Sequence, residues 1–205
     1  MNLLISIISA YLLGSIPTSY LMGKMLKGID IRKFGSGNVG ATNALRVLGT
    51  KIGIITLVID ILKGFFAVLI GKILIPEFSD LILIIIGIAA IIGHIFTIFL
   101  KFKGGKGVAT SAGVFIALTP IPLVIALFVF IITVWISKYV SLGSILASLT
   151  LFMVELIINL NNSFIEIEKL VMVFVIASFI IIKHKSNLQR LLSGTENKIS
   201  FKKKM

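Results

Sequence analysis

The chain has 205 residues, 58% of them hydrophobic, with 20 Lys and Arg against 8 Asp and Glu and a formal charge of +12. A mean hydropathy of +1.13, with charges confined to short islands between long apolar runs, excludes a water-soluble protein and leaves no room for a separate soluble domain. The absence of Cys excludes disulfides, thiolate metal sites and a thioester intermediate on the protein, and two His are too few for a His-rich metal site.

The apolar runs define an all-α, polytopic membrane helix bundle, one integral membrane domain over residues 1–205. The first run, Leu3–Gly23, lacks a basic leading segment and a small-residue cleavage pattern, and reads as a retained helix and not a signal peptide. The second is Ile52–Ile75, with Asp60 and Lys63 three apart on one face, as expected of a buried pair in lipid. The third is Leu81–Leu100. Val108–Thr119 is short and ends at Thr119-Pro120-Ile121-Pro122, after which Leu123–Ile136 continues. These two stretches are either two short helices turned at the prolines, giving seven spans in all, or a re-entrant pair, giving five. Leu142–Leu160, with Glu155 inside it, and Leu170–Ile182 complete the count.

Charge sets the orientation. Lys24, Lys27, Arg32, Lys33, Arg46 and Lys51 fall in segment 24–51, Lys101, Lys103 and Lys106 in 101–107, Lys138 in 137–141, and Lys183, Lys185, Arg190, Lys198, Lys202, Lys203 and Lys204 in tail 183–205. Alternate loops put all four on one side, with Glu77, Asp80, Glu166 and Glu168 opposite. The basic side is expected to be cytoplasmic, with the N-terminus outside and the C-terminus inside. The excess base then reflects leaflet bias and attraction to membrane lipid, and not nucleic acid.

Three polar motifs lie on the basic side. The first, Gly35-Ser36-Gly37-Asn38-Val39-Gly40-Ala41-Thr42-Asn43-Ala44-Leu45-Arg46, has glycines that turn the backbone and aim amides at one point, a concavity suited to anions. Thr42 or Asn43 is expected to cap a short helix from Ala44, with Arg46 offering a planar fork to phosphate. In the second, His94 ends a span and Gly104-Gly105-Lys106-Gly107 opens a helix, bringing a cation and free amides together. This is not a Walker loop, since Gly107 and not Ser or Thr follows Lys106. Lys101 and Lys103 there serve equally well as snorkelling residues. In the third, His184 to Lys198, a helix would place His184, Asn187 and Leu191 on one face and end at Gly194. No nucleophile elbow, no His-x4-Asp pair and no carboxylate pair for magnesium accompanies these motifs.

Taken together and in order, these stretches, with Tyr11 to Lys24, resemble the bacterial acyl-phosphate:glycerol-3-phosphate acyltransferase family over nearly the whole chain. Thr97 stands where the family often has Pro, so a helix kink there does not carry over from the resemblance, and Lys138 stands where it often has Arg, which weakens one bidentate phosphate contact. The resemblance implies a seven-helix membrane enzyme of the bacterial plasma membrane, with its motifs facing the cytoplasm. It implies acyl transfer from acyl phosphate to the sn-1 hydroxyl of glycerol 3-phosphate, without a covalent acyl-enzyme, a metal, a cofactor or an obligate protein partner. His184 and Asn187 are then the catalytic candidates. Ser36, Gly37, Asn38, Gly40, Thr42, Asn43, Arg46, His94, Gly104, Gly105, Lys106, Gly107, Ser141, Arg190 and Glu196 are the substrate-binding ones. Either His184 or a substrate phosphate takes the hydroxyl proton. The contrasting reading is a transporter of a phosphorylated metabolite, which needs a polar path where only Asp60, Lys63 and Glu155 lie deep; a noncatalytic lipid-binding scaffold would not need His184 beside Asn187.

Overall fold

The computed structural model describes residues 2–75, 78–162 and 166–199. Glu77 and the lysines at 202–204 lie outside these residues. All regular elements among the described residues are helical: α1 Asn2–Ser15, α2 Thr18–Lys27, α3 Ala41–Leu48, α4 Thr50–Leu74, α5 Asp80–Ile95, α6 Val108–Leu118, α7 Pro120–Ser137, α8 Val140–Asn161, α9 Ile167–Lys183 and α10 Lys185–Leu192, with 3-10 turns at Ile31–Lys33 and Ile98–Leu100. Four stretches are long and apolar enough to cross a membrane, namely α4, Asp80–Leu100, α7 and α8, and α1 with α2 makes a fifth if the bent pair is one span.

The run expected as one helix over Leu3–Gly23 is broken. Pro17 has no N–H to donate and disfavours helix at the residue before it. The chain accordingly leaves α1 at Ser15 and restarts at Thr18, bent by 42°. The third run is also broken. α5 stops at Ile95, and the backbone turns through Phe96 and Thr97 into the second 3-10 turn. The residue at the break is Thr and not Pro, and it acts through its side chain: Thr97 Oγ1 donates to the Ser15 carbonyl at the end of α1.

Between α6 and α7 the break falls at Thr119, and Pro120 occupies the first turn of α7, where its missing N–H costs nothing. α6 has 11 residues, about 16 Å of helix, well short of the roughly 30 Å hydrocarbon core. α7, with 18 residues, is long enough by itself.

The chain divides into two units, over residues 2–117 and 118–199 of those described. In the first, α1 packs along α5 and against α4, α5 packs on α4, and α3 lies on α4. Small residues allow the closest contacts. A Cβ at Gly64 would strike the Thr110 carbonyl of α6, and one at Gly113 the Ile61 carbonyl of α4. A smaller core beneath the first loop joins Ile31, Val39, Ala44, Leu48 and Leu100, with Tyr20, Met22 and Ile29 packed on it. In the second unit α8 packs between α7 and α9, and α10 lies across α8 and α9. Glu155 of α8 is buried and receives the Asn159 amide at 3.2 Å, and Asn159 Oδ1 accepts from the Glu166 backbone at 2.7 Å.

Candidate active site

The first loop is built around one amide side chain. Asn43, 1% exposed, donates through Nδ2 to the carbonyls of Ile31 (3.3 Å) and Phe34 (3.1 Å), and its Oδ1 accepts the Ser36 backbone N–H at 2.9 Å. Asn43 therefore holds the loop, and it does not cap a helix from Ala44. α3 begins earlier, at Ala41. Gly40 is its N-cap and accepts the Asn43 and Ala44 N–H groups through its own carbonyl. Gly35 runs at φ 61°, and a Cβ there would meet Asn43 Oδ1, so this turn needs glycine. Ser36 and Gly37 are exposed; Asn38, Gly40, Thr42 and Arg46 are half-buried, Arg46 in the last turn of α3. Near the loop's start, Asp30 accepts from the Arg32 backbone at 3.1 Å and from its guanidinium at 2.7 Å, and the Arg32 contact holds the carboxyl down at about 2. The same guanidinium stacks 5.1 Å from the Tyr20 ring.

The second motif is folded back on the end of α5. Gly104 N–H donates to the Ile95 carbonyl (3.0 Å) and Gly105 N–H to that of His94 (3.1 Å), which satisfies the last carbonyls of that helix. These two amides are thus spent on α5, contrary to the expectation that they face an anion. A Cβ on Gly105 would land on His94 Nε2, and one on Gly104 on the His94 carbonyl. His94 is buried with its Nδ1 3.9 Å from Asp60 Oδ1, so its ring is turned away from solvent and supports the loop segment bearing Lys106 through Gly105. Lys106 is half-buried, and Gly107, at φ 88°, swings the chain into α6. Lys101 and Lys103 are exposed.

In the second unit three of the expected residues gather on the carboxylate of a fourth, Glu196. Glu196 Oε1 accepts from Ser141 Oγ (3.0 Å) and from Asn187 Nδ2 (2.8 Å), and Oε2 accepts from Arg190 Nε (2.8 Å). Burial alone pushes Glu196 up, but the hydrogen bonds from Asn187, Arg190 and Ser141 outweigh it and hold the carboxyl below its usual range. The chain returns to reach this point through the cap of α10. Gly194 N–H bonds the Leu191 carbonyl and Thr195 N–H the Arg190 carbonyl, a Schellman motif with Gly194 at φ 71°. His184 stands at the junction of α9 and α10, buried, with Nδ1 2.8 Å from the Ile180 carbonyl. A carbonyl only accepts, so Nδ1 carries the proton and Nε2 is the basic nitrogen of the neutral ring. Among the described residues no three His, Asp or Glu side chains cluster closely enough to hold a metal ion.

A chain whose described residues form helices, several of them long and apolar enough to cross a membrane, is a multi-pass membrane protein, and comparison with known proteins names its kin. Residues 4–194 match the family model described as glycerol-3-phosphate acyltransferase. The glycerol-3-phosphate acyltransferase of Chlorobaculum tepidum is 42% identical, with 97% of each chain covered. That of Desulforamulus reducens is 47% identical over 96% of this chain and 95% of its own. A crystal structure of PlsY (YgiH), an integral membrane glycerol 3-phosphate acyltransferase in its glycerol 3-phosphate form, superposes with a TM-score of 0.88 at 39% identity, covering 98% of this chain and 96% of that one. Its lysophosphatidic acid form gives 0.84 at 38% identity, over 98% and 97%. The chain belongs to the glycerol-3-phosphate acyltransferase family.

Proposed function

We propose that this protein transfers a fatty acyl group from an acyl phosphate to the sn-1 hydroxyl of glycerol 3-phosphate. The products are 1-acylglycerol 3-phosphate and inorganic phosphate, in the first acylation step of phospholipid synthesis. The observation that carries the reading is the family match over residues 4–194, joined to a relative known in both glycerol 3-phosphate and lysophosphatidic acid forms, the acceptor and the product of such a transfer. The protein acts in the bacterial plasma membrane and crosses it seven times, N-terminus outside, with its substrate loops in the cytoplasm. Basic residues crowd the intervening segments on that side. α6 is one of the seven crossings, and its short length requires that its ends be covered by protein and not by lipid.

An acyl phosphate is a mixed anhydride, activated before it arrives, so no protein nucleophile is needed. The acceptor hydroxyl oxygen attacks the carbonyl carbon, the carbon–oxygen bond to phosphate breaks, and phosphate leaves with the electron pair. His184 Nε2, the basic nitrogen left by the Nδ1 bond to Ile180, takes the hydroxyl proton. Each substrate phosphate carries roughly −1.5 to −2 charge. Arg46, Lys106 and Arg190 offset that charge, and Ser36, Gly37, Asn38, Gly40, Thr42 and Gly107 supply neutral donors and loop shape. Asn43, His94, Gly104 and Gly105 hold these groups in place. In the C-terminal motif Glu196 orders Ser141, Asn187 and Arg190; it takes only Nε of the guanidinium, and the two Nη groups meet phosphate.

Purified protein in detergent, given palmitoyl phosphate and glycerol 3-phosphate, is expected to release phosphate and form 1-palmitoylglycerol 3-phosphate only when both are present. Phosphate release at the same rate without glycerol 3-phosphate, or no acylated product with both, overturns the proposal. The transporter reading draws no support from the deep ionisable groups: Asp60 and Lys63 pair at 2.9 Å, and Glu155 holds Asn159.

A further inference from the structure

Two charges lie deep in α4, and of the site residues named above His94 approaches them, with Nδ1 3.9 Å from Asp60 Oδ1. Asp60 is ten residues into the helix, about 15 Å from its first turn. Asp60 and Lys63 are 1% and 4% exposed and 2.9 Å apart. A pair present only to neutralise itself in lipid needs nothing more than this contact.

Here each charge has a second, directional partner, and both lie at the break between α1 and α2. Lys63 Nζ donates to the Ile16 carbonyl at 3.0 Å, just past the end of α1, where Pro17 interrupts the helix. Asp60 Oδ1 accepts from Thr18 Oγ1 at 2.9 Å, the first residue of α2. A helix carries partial negative charge at its C-terminal end and partial positive charge at its N-terminal end. The ammonium thus faces the end of α1 and the carboxylate faces the start of α2, each on the terminus of opposite sign. α2 in turn carries the glycine loop. Tyr20 and Met22 pack on the core of Ile31, Val39, Ala44 and Leu48, and Lys27 Nζ donates to the Val47 carbonyl of α3 at 3.0 Å.

We propose that the Asp60–Lys63 pair is a positioning device for the glycine loop, clamping the bend between α1 and α2 so that α2 presents the loop in its working pose. The proposal rests on the reading of that loop as a substrate-binding element, but its geometric half is testable without substrate. The chain has no Cys, so spin labels at Met25→Cys on α2 and Ile73→Cys near the far end of α4, both exposed, report the pose of α2 directly. The exchange Asp60→Lys with Lys63→Asp keeps an ion pair but sets each charge against the wrong helix end. The expected result is a shifted or broadened label distance in the exchanged protein, and a kcat/KM for glycerol 3-phosphate or palmitoyl phosphate lowered about a hundredfold, mainly through KM. Thr18→Val is expected to do the same more mildly, and Thr18→Ser to restore native behaviour. A pair that serves folding alone would reduce the active fraction, so kcat would fall with KM unchanged. A native label distance and native KM in the exchanged protein overturn the proposal; should that protein not fold, the same outcome in Thr18→Val overturns it.

Discussion

The residue that organises the C-terminal motif is an acid, in a motif proposed to meet phosphate. A lone buried carboxylate there would repel phosphate, yet Glu196 is the common acceptor for Ser141, Asn187 and Arg190. It fixes three donors in one geometry, and its charge is offset by the guanidinium it holds. Glu196→Gln takes the charge assistance from all three bonds and is expected to lower stability by about 1–3 kcal/mol and turnover more steeply, read by thermal unfolding in detergent and by phosphate release. The pH dependence follows from the same bonds. A carboxyl held below its usual value of 4.5 contributes stability above that pH and loses it as pH falls through the lowered value. Native protein is therefore expected to lose melting temperature on acidification below about pH 4.5, and the Gln variant to lack that component. An equal acid slope in both would contradict the assignment.

At the scale of elements, the helices matter for where they stop. α5 ends at Ile95, short of the loop, and Gly104 and Gly105 return to cover its carbonyls. Gly105→Ala puts a methyl group on the buried His94 ring, an overpacking expected to cost about 1–3 kcal/mol and most of the activity. Gly28→Ala, at φ 66° with open space around it, is expected to cost only about 1–2 kcal/mol for the backbone and leave turnover near native. Equal activity losses in the two variants would remove His94 and Gly105 from their supporting role. The apolar stretches were legible from hydropathy, and the ends of α4, α8 and α9 fall within three residues of those expected. The bend at Pro17 was equally available in the sequence, since proline dictates it, but a long apolar run hid it. The break at Thr97 was not: its cause is a hydroxyl reaching the Ser15 carbonyl, 82 residues away in sequence. Likewise the roles of Asn43, Gly104 and Gly105 depend on which backbone groups they meet, and glycine or Asn in a loop reads alike whether it binds a ligand or braces the fold.

At the scale of the whole molecule, each unit carries its own set of candidate residues. The glycine loop and the loop segment bearing Lys106 belong to the first, and His184 with the Glu196 cluster to the second. Seven crossings require the junction of α6 and α7 to face outward. Ile121→Cys, at an exposed position, is then expected to react with an impermeant maleimide added outside spheroplasts, with Lys103→Cys reacting only after lysis. The reverse pattern at Ile121 would make α6 re-entrant. The central claim is that cationic side chains offset the charge of two phosphate-bearing substrates so that acyl transfer proceeds without a protein nucleophile. Its most direct test is the steady-state rate of phosphate release by Arg46→Ala and Lys106→Ala with palmitoyl phosphate and glycerol 3-phosphate. Each variant is expected to lose about a hundredfold or more in kcat/KM with its melting temperature preserved; near-native rates in both would contradict the claim.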